Sequence, residues 1–324
     1  MRVRHYFAQA PIDERKLDSE ARRFLNGKAL TTDEIAHIYR QHSIELATRA
    51  LYLSLTEHQH RTAIERIDAP TSGAMPVPVG KRRKLLIAPG LLYREFPEIG
   101  ADGVLVKNIA DTCGLEAQIM PLDGRGALSL NADKIRDYMQ DQETPFWLFS
   151  VSKGSGEVRF ALDAARKENA VPDNLRGWIN LCGITSGTPM ADRKVRNTAG
   201  RTWARLWCSL ARLSYQGLNE LATTHPRWSE PFQGVPGVAF LHVAGMPVLA
   251  HVQAPMLSRW KYLSHYGPND GMALLSDLPD WPGTVYPLWG LDHMMRSPQI
   301  SWLCYRIFHA LPFLEEQQRE EISK

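Results

Sequence analysis

The chain has 324 residues, of which 44% are hydrophobic and 23% charged, a composition that suits a soluble globular protein and excludes a disordered or collagenous one. A formal net charge of +3 is too small to point to nucleic acid by itself. No apolar run approaches the roughly 18 residues needed to cross a bilayer, and Met1 to Phe7 lead into Ala, Pro and charges without the apolar segment of a secretory signal. Cys113, Cys182, Cys208 and Cys304 lie far apart and form no CxxC pair. That spacing fits reduced thiols in a cytoplasmic protein better than a zinc site or a disulfide scaffold.

Residues 1–80 read as a helical extension followed by a linker. Thr31-Thr32-Asp33-Glu34 offers a capping box, in which the Thr31 hydroxyl and the Glu34 carboxylate satisfy the first unpaired amides of a helix. Ile35, Ile38, Tyr39, His42, Leu46, Ala50 and Leu53 then recur at three- and four-residue intervals and build one apolar face. The spacing predicts a helix running to about Arg66. Ala69-Pro70-Thr71-Ser72-Gly73 breaks it, and the prolines of Met75-Pro76-Val77-Pro78-Val79-Gly80 keep the next stretch non-helical. Lys81-Arg82-Arg83-Lys84 is a compact basic run, read as solvated linker ahead of a phosphate or nucleic-acid contact.

After Gly80 short apolar runs alternate with helical stretches. The runs are Lys84–Gly90, Ala117–Pro121, Pro145–Val151, Trp178–Ile184, Val238–Val243 and Thr284–Trp289; helical patterns fall between several of them, notably at Asn131–Gln140 and Ser155–Glu168. Runs this short and this apolar suit strands buried on both faces. Their alternation with helices predicts an α/β fold with a doubly wound, mostly parallel sheet.

Phe146-Trp147-Leu148-Phe149-Ser150-Val151-Ser152-Lys153-Gly154-Ser155-Gly156-Glu157 takes a buried strand straight into a small-residue turn and then a helix. A serine at such a corner stands exposed above the sheet, and the positive N-terminal end of the following helix favours an oxyanion there. Ser150 and Gly154, two residues either side of Ser152, are small enough for strand and helix to cross closely. Here the chain resembles the α/β-hydrolase superfamily and its nucleophile elbow, with Ser150 in place of the first glycine of the usual Gly-x-Ser-x-Gly. Ser155, the rival nucleophile, is flanked at the same offsets by Lys153 and Glu157, which are too bulky for the corner.

Two later segments fit the same resemblance. Tyr266-Gly267-Pro268-Asn269-Asp270-Gly271-Met272 is a turn-rich loop holding one carboxylate, and Gly290-Leu291-Asp292-His293-Met294 follows the last apolar run. Ser152, Asp270 and His293 come in the order in which the superfamily supplies nucleophile, acid and base. Serine at its free pKa is a poor nucleophile and needs a base; a histidine can serve, with the aspartate fixing its tautomer. Asp277 and Asp280 remain alternative acids. Asp292 adjoins His293 too closely to reach its ring, and His242, His251 and His265 read as structural or surface residues. By resemblance, the oxyanion hole takes the amide of Lys153 and that of Leu91, in the Ala88-Pro89-Gly90-Leu91 loop after the first strand; Pro-Gly as a plain turn is equally compatible.

The resemblance covers about residues 84–312 of the 81–324 domain. It places an inserted cap at about 186–236, where Trp203, Trp207, Tyr215, Trp228 and Phe232 stand among seven basic residues and three acids. These could grip an amphiphilic anionic ester, or they could be packing aromatics with a solvated basic face. Asp123-Gly124-Arg125-Gly126 reads as a structural turn. No metal or dinucleotide motif occurs, so no cofactor is implied. The expectation is a serine hydrolase acting on a small-molecule or lipid-like carboxylic ester or thioester, with no nucleic-acid partner and no transmembrane segment. An acyltransferase using the same residues, with residues 1–80 recruiting the acyl donor or acceptor, for instance a carrier protein, is the near alternative. A hydrolase fold without catalysis, serving as a binding protein, is the third.

Overall fold

The computed structural model describes residues 12–69 and 83–322. The linker at 70–80, with Lys81 and Arg82 of the basic run, lies outside the described residues. Six strands, β1 (Lys84–Ala88), β2 (Glu116–Ile119), β3 (Phe146–Val151), β4 (Leu175–Leu181), β5 (Ala239–Met246) and β6 (Thr284–Trp289), form one sheet in the order β2-β1-β3-β4-β5-β6. The pairs β1/β2, β1/β3, β3/β4 and β4/β5 are parallel. Every residue of β3 is buried, as a strand covered on both faces requires. The predicted doubly wound sheet is the observed one, and each strand falls on one of the six apolar runs.

Helices α5 (Val104–Thr112), α6 (Leu128–Gln140), α7 (Lys153–Lys167), α11 (Ala254–Leu263) and α12 (Gln299–Ile322) alternate with the strands. Between β4 and β5 the chain inserts three more, α8 (Pro189–Val195), α9 (Thr198–Leu210) and α10 (Tyr215–Glu220). Among the described residues no helix is long and apolar enough to cross a membrane.

The N-terminal segment departs from the single long helix that its spacing predicts. It begins with α1 (Glu14–Leu25), then α2 (Thr32–Gln41), whose capping box forms as expected: Thr31 Oγ accepts the Glu34 amide at 3.3 Å while Glu34 Oε2 accepts the Thr31 amide at 2.9 Å. At His42 the backbone leaves the helical region, with φ −128° and ψ −100°. Ser43 starts α3 (Ile44–Ser54), its hydroxyl accepting the Leu46 amide at 3.1 Å. A π-helical turn at Leu55–Gln59 and α4 (Arg61–Asp68) follow. The apolar spacing runs through the break, but Ser43 offers the backbone a new cap in place of a continued helix.

The chain divides into two compact units. One joins the described residues up to Arg61 with Ala244–Trp281 and Val285–Arg296; the other joins Thr62–Val243, Pro282–Thr284 and the stretch from Ser297. The core of the first is made jointly by α1–α3 and the later chain: Ile35, Ile38, Ala47, Ala50, Leu51 and Leu55 are buried in one cluster with Ala244, Met246, Leu275, Leu278 and Val285.

Candidate active site

The junction of β3 and α7 is a strained corner. Ser152 has φ 54° and ψ −116°, a conformation that a side-chain-bearing residue holds only where its surroundings over-determine it. Three backbone bonds do so here. The Ser152 amide donates to Leu181 O at 3.1 Å, and its carbonyl accepts the amides of Ser155 and Ile184, each at 3.1 Å. Lys153 and Gly154 then open α7. A Cβ on Gly154 would stand 2.5 Å from Pro89 O and 2.6 Å from Ala88 O, so only glycine lets the helix start this close to the loop after β1.

Ser150 explains its own departure from glycine. Its buried Oγ accepts the Trp178 indole N–H at 2.8 Å and pairs with Ser155 Oγ at 2.8 Å. Ser155 is thereby locked inside the fold and is no rival for Ser152. The loop after β1 lies against the corner, since a Cβ on Gly90 would come within 3.6 Å of Ser152 Cβ. Gly90 N donates to Ala101 O and Leu92 N to Gly124 O. Among the described residues the Leu91 amide between them meets no acceptor. The Lys153 amide is in the first turn of α7, where helix amides have no intrahelical partner.

Beneath this corner runs a buried polar chain that the sequence reading treats only as bulk. The Lys153 ammonium donates to Glu157 Oε1, one helical turn on, with both side chains inside the fold. Asn131 Nδ2 donates to the same carboxylate at 2.7 Å and to Asp123 O at 2.8 Å. Burial pushes the Glu157 carboxyl up from its ordinary value, and Lys153 and Asn131 oppose that shift. The four-residue spacing of a lysine and a glutamate was the available signal. The Asp123 turn is structural as read, with Asp123 Oδ1 accepting the Arg125 amide at 2.9 Å.

In the other unit, Asp270 and His293 form a buried pair, His293 Nδ1 lying 2.7 Å from Asp270 Oδ2. The second carboxylate oxygen accepts the amides of Met272 and Ala273 at 2.8 and 2.7 Å, and the His293 amide donates to Asp270 O at 2.8 Å. The carboxylate is therefore fixed in place by the backbone of its own turn, and the imidazole is aimed by the carboxylate. The other candidate acids are used elsewhere or exposed. Asp292 accepts the Gln253 and Met294 amides at 2.9 and 3.0 Å, and burial pushes its carboxyl up. Asp280 accepts the Thr32 hydroxyl at 2.7 Å, and Asp277 is exposed.

The other histidines fall where the sequence reading put them. His242 is buried with its Nδ1 3.3 Å from Asn180 Nδ2, His251 lies 3.5 Å from Glu14, and His265 is exposed. The loop carrying Asp270 is held on both sides by the N-terminal helices: Tyr39 OH donates to Ser264 O at 2.8 Å, Thr32 Oγ to Ser276 O at 2.9 Å and Gln59 Nε2 to Pro279 O at 2.7 Å. Nothing in the sequence marks these partners, because they are separated by more than two hundred residues.

In the inserted segment, Trp228 and Phe232 are packing residues. The Phe160 ring lies 4.6 Å from Trp228, tilted 44° to it, Trp178 lies 5.5 Å from Phe232, and the Arg159 guanidinium covers both rings while donating to Thr185 O and Glu230 O. Among the described residues no group of three or more His, Cys, Asp or Glu is placed to hold a metal ion.

No protein-family model matches the sequence, and no curated protein sequence is similar to it. Solved structures do match. A metagenomic carboxyl esterase superposes with a TM-score of 0.50 at 15% identity, covering 92% of either chain. The mature form of a Bacillus licheniformis lipase gives 0.47 at 18% identity, over 77% of this chain and 95% of that one. The mouse alpha/beta hydrolase domain-containing protein 10 gives 0.44 at 13%, over 75% and 91%. With the sheet order, the strained serine corner after β3 and the match over nearly the whole length of the esterase, the chain has the fold of the α/β-hydrolases.

Proposed function

We propose that the chain is a serine hydrolase that cleaves a carboxylic ester or thioester through an acyl-enzyme on Ser152. The observation that carries this reading is the buried His293–Asp270 pair at 2.7 Å, a base already oriented by a carboxylate. It is joined by the strained φ of Ser152 and by the order of the three residues along the chain. With Nδ1 committed to Asp270, Nε2 is the nitrogen that takes and returns the proton.

In the proposed cycle Ser152 Oγ attacks the substrate carbonyl carbon while its proton passes to His293 Nε2. The carbonyl oxygen becomes an oxyanion that accepts hydrogen bonds from the Lys153 and Leu91 amides. The bond to the alkoxide or thiolate breaks, and His293 returns its proton to the leaving group. A water then gives a proton to His293 and attacks the acyl carbon. Collapse frees the carboxylic acid, and the proton goes back to Ser152. Asp270 stays ionised throughout and stabilises the imidazolium.

The test is a steady-state comparison of wild type with Ser152→Ala, His293→Ala and Asp270→Asn on esters and thioesters of graded acyl length. The expected result is hydrolysis by wild type and a fall in kcat on the order of 10⁴ or more in each variant. Because the three act as one unit, the double variant Ser152→Ala/His293→Ala should lose little beyond either single one. Activity surviving in Ser152→Ala would overturn the assignment.

A further inference from the structure

Helix α9, in the segment inserted between β4 and β5, exposes a continuous apolar stripe that the proposed reaction does not use. Trp203, Leu206, Trp207 and Leu210 are 71%, 50%, 48% and 77% exposed. At 100° per residue they fall within an arc of about 100° on one face. The same helix buries a different face, through Ala204 and Cys208, so the stripe is not the side by which it packs on the protein. Leaving two tryptophans and two leucines in water costs about 25 cal/mol for each Å² of apolar surface, and so wide an apolar stripe marks a binding surface.

The charge around the stripe identifies what covers it. From Arg193 to Asn219 the chain carries Arg193, Lys194, Arg196, Arg201, Arg205 and Arg212 and no acidic residue, although the whole chain has a net charge of only +3. Lys194 sits at the edge of the stripe with its ammonium 5.6 Å from the Trp207 ring, and Arg196 and Arg212 are exposed just beyond either end of α9. Arg201 and Arg205, on other faces, are turned to the protein: Arg201 Nε donates to Val195 O at 3.0 Å and Arg205 lies 5.0 Å from the Tyr215 ring. Tryptophan and leucine on one face with lysine and arginine around it are the pattern of a helix that lies in the interface of an anionic bilayer. There the apolar face sinks to the acyl boundary, and long cationic side chains reach back to the headgroups.

We infer that α9 is a docking helix for an anionic lipid surface, which it enters through Trp203, Leu206, Trp207 and Leu210 while Lys194, Arg196 and Arg212 hold the headgroups. Binding needs no catalytic residue, so it stands or falls apart from the proposed hydrolysis. The chain attaches by this face and returns to solution reversibly, since one interfacial helix gives far less affinity than a membrane-spanning one.

The test is flotation of the full chain with vesicles of phosphatidylcholine alone and of phosphatidylcholine mixed with phosphatidylglycerol, read together with tryptophan emission. The expected result is flotation with the mixed vesicles only, a blue shift of the emission, and release by high salt. Trp203→Gln/Leu210→Gln should abolish both signals without lowering the melting temperature, because both side chains are exposed. Lys194→Gln/Arg196→Gln/Arg212→Gln should weaken vesicle binding about a hundredfold, from about fivefold per charge. Failure to float with the mixed vesicles would overturn the inference, as would equal binding to both lipid compositions. So would a concentration-dependent dimer, dispersed by the Trp203→Gln/Leu210→Gln change, in a protein that ignores vesicles.

Discussion

Ser152 illustrates how a residue's chemistry is set by its backbone. The corner exists because Gly154 admits the backbone of the β1 loop where any side chain would collide. Gly154→Ala is therefore expected to push α7 away from Pro89, lowering stability by about 1–3 kcal/mol and removing hydrolysis with it; thermal unfolding and an ester assay check both. Beside it, Ser150→Gly restores the more common motif residue but removes the oxygen shared by Trp178 and Ser155. That change should cost about 1–3 kcal/mol through the two buried hydrogen bonds it removes. The corner was legible in the sequence as small residues around a serine after an apolar run. The Lys153–Glu157 pair was not, because sequence shows the spacing of two charges but not whether water reaches them.

At the scale of elements, the N-terminal helices belong with the loops that carry Asp270 and His293. Their apolar face, read in the sequence from its three- and four-residue spacing, is filled by Ala244, Met246, Leu275, Leu278 and Val285 of the same chain. The periodicity revealed that a face existed, but what covers it lies too far along the chain for any pattern to show. Leu51, fully buried in that cluster, should cost about 2–5 kcal/mol when changed to Ala. Tyr39→Phe, which leaves Ser264 O without its donor, should cost about 1 kcal/mol; urea unfolding of the two variants measures each.

The joint between the π-helical turn and α4 adds a pH dependence. Burial lowers the His60 pKa from 6.5 to about 4, so the folded chain keeps this ring neutral while the unfolded chain protonates it below 6.5. Its contribution to stability is thus intact above pH 6.5 and is lost as pH falls towards 4, by at most about 3 kcal/mol. His60→Leu should flatten the fall in urea midpoint between those two pH values, and an unchanged slope would contradict the assignment.

Across the whole molecule, the sheet was the most legible feature, because six short apolar runs alternating with helical stretches leave little choice but a parallel sheet with helical connections, although the strand β2 exposes Glu116 and Gln118. The likeness to solved structures is one of fold, with 15% of residues identical over 92% of the chain and no matching family model, because a burial pattern can be met by many different residues. The inserted segment was half legible. Trp228 and Phe232 pack inward around Arg159, Tyr215 is partly buried against Ala191, Val195 and Ala222, and Trp203 and Trp207 face solvent; composition alone does not separate these sets. The central claim is that Ser152 is a working nucleophile. The most direct measurement is incubation of the full chain with a fluorophosphonate, followed by mapping of the adduct by mass spectrometry in wild type and in Ser152→Ala. The account predicts a single adduct on Ser152 that is missing from the variant and slowed in Asp270→Asn. A folded wild-type protein that takes no label, or takes it on another serine, would contradict it.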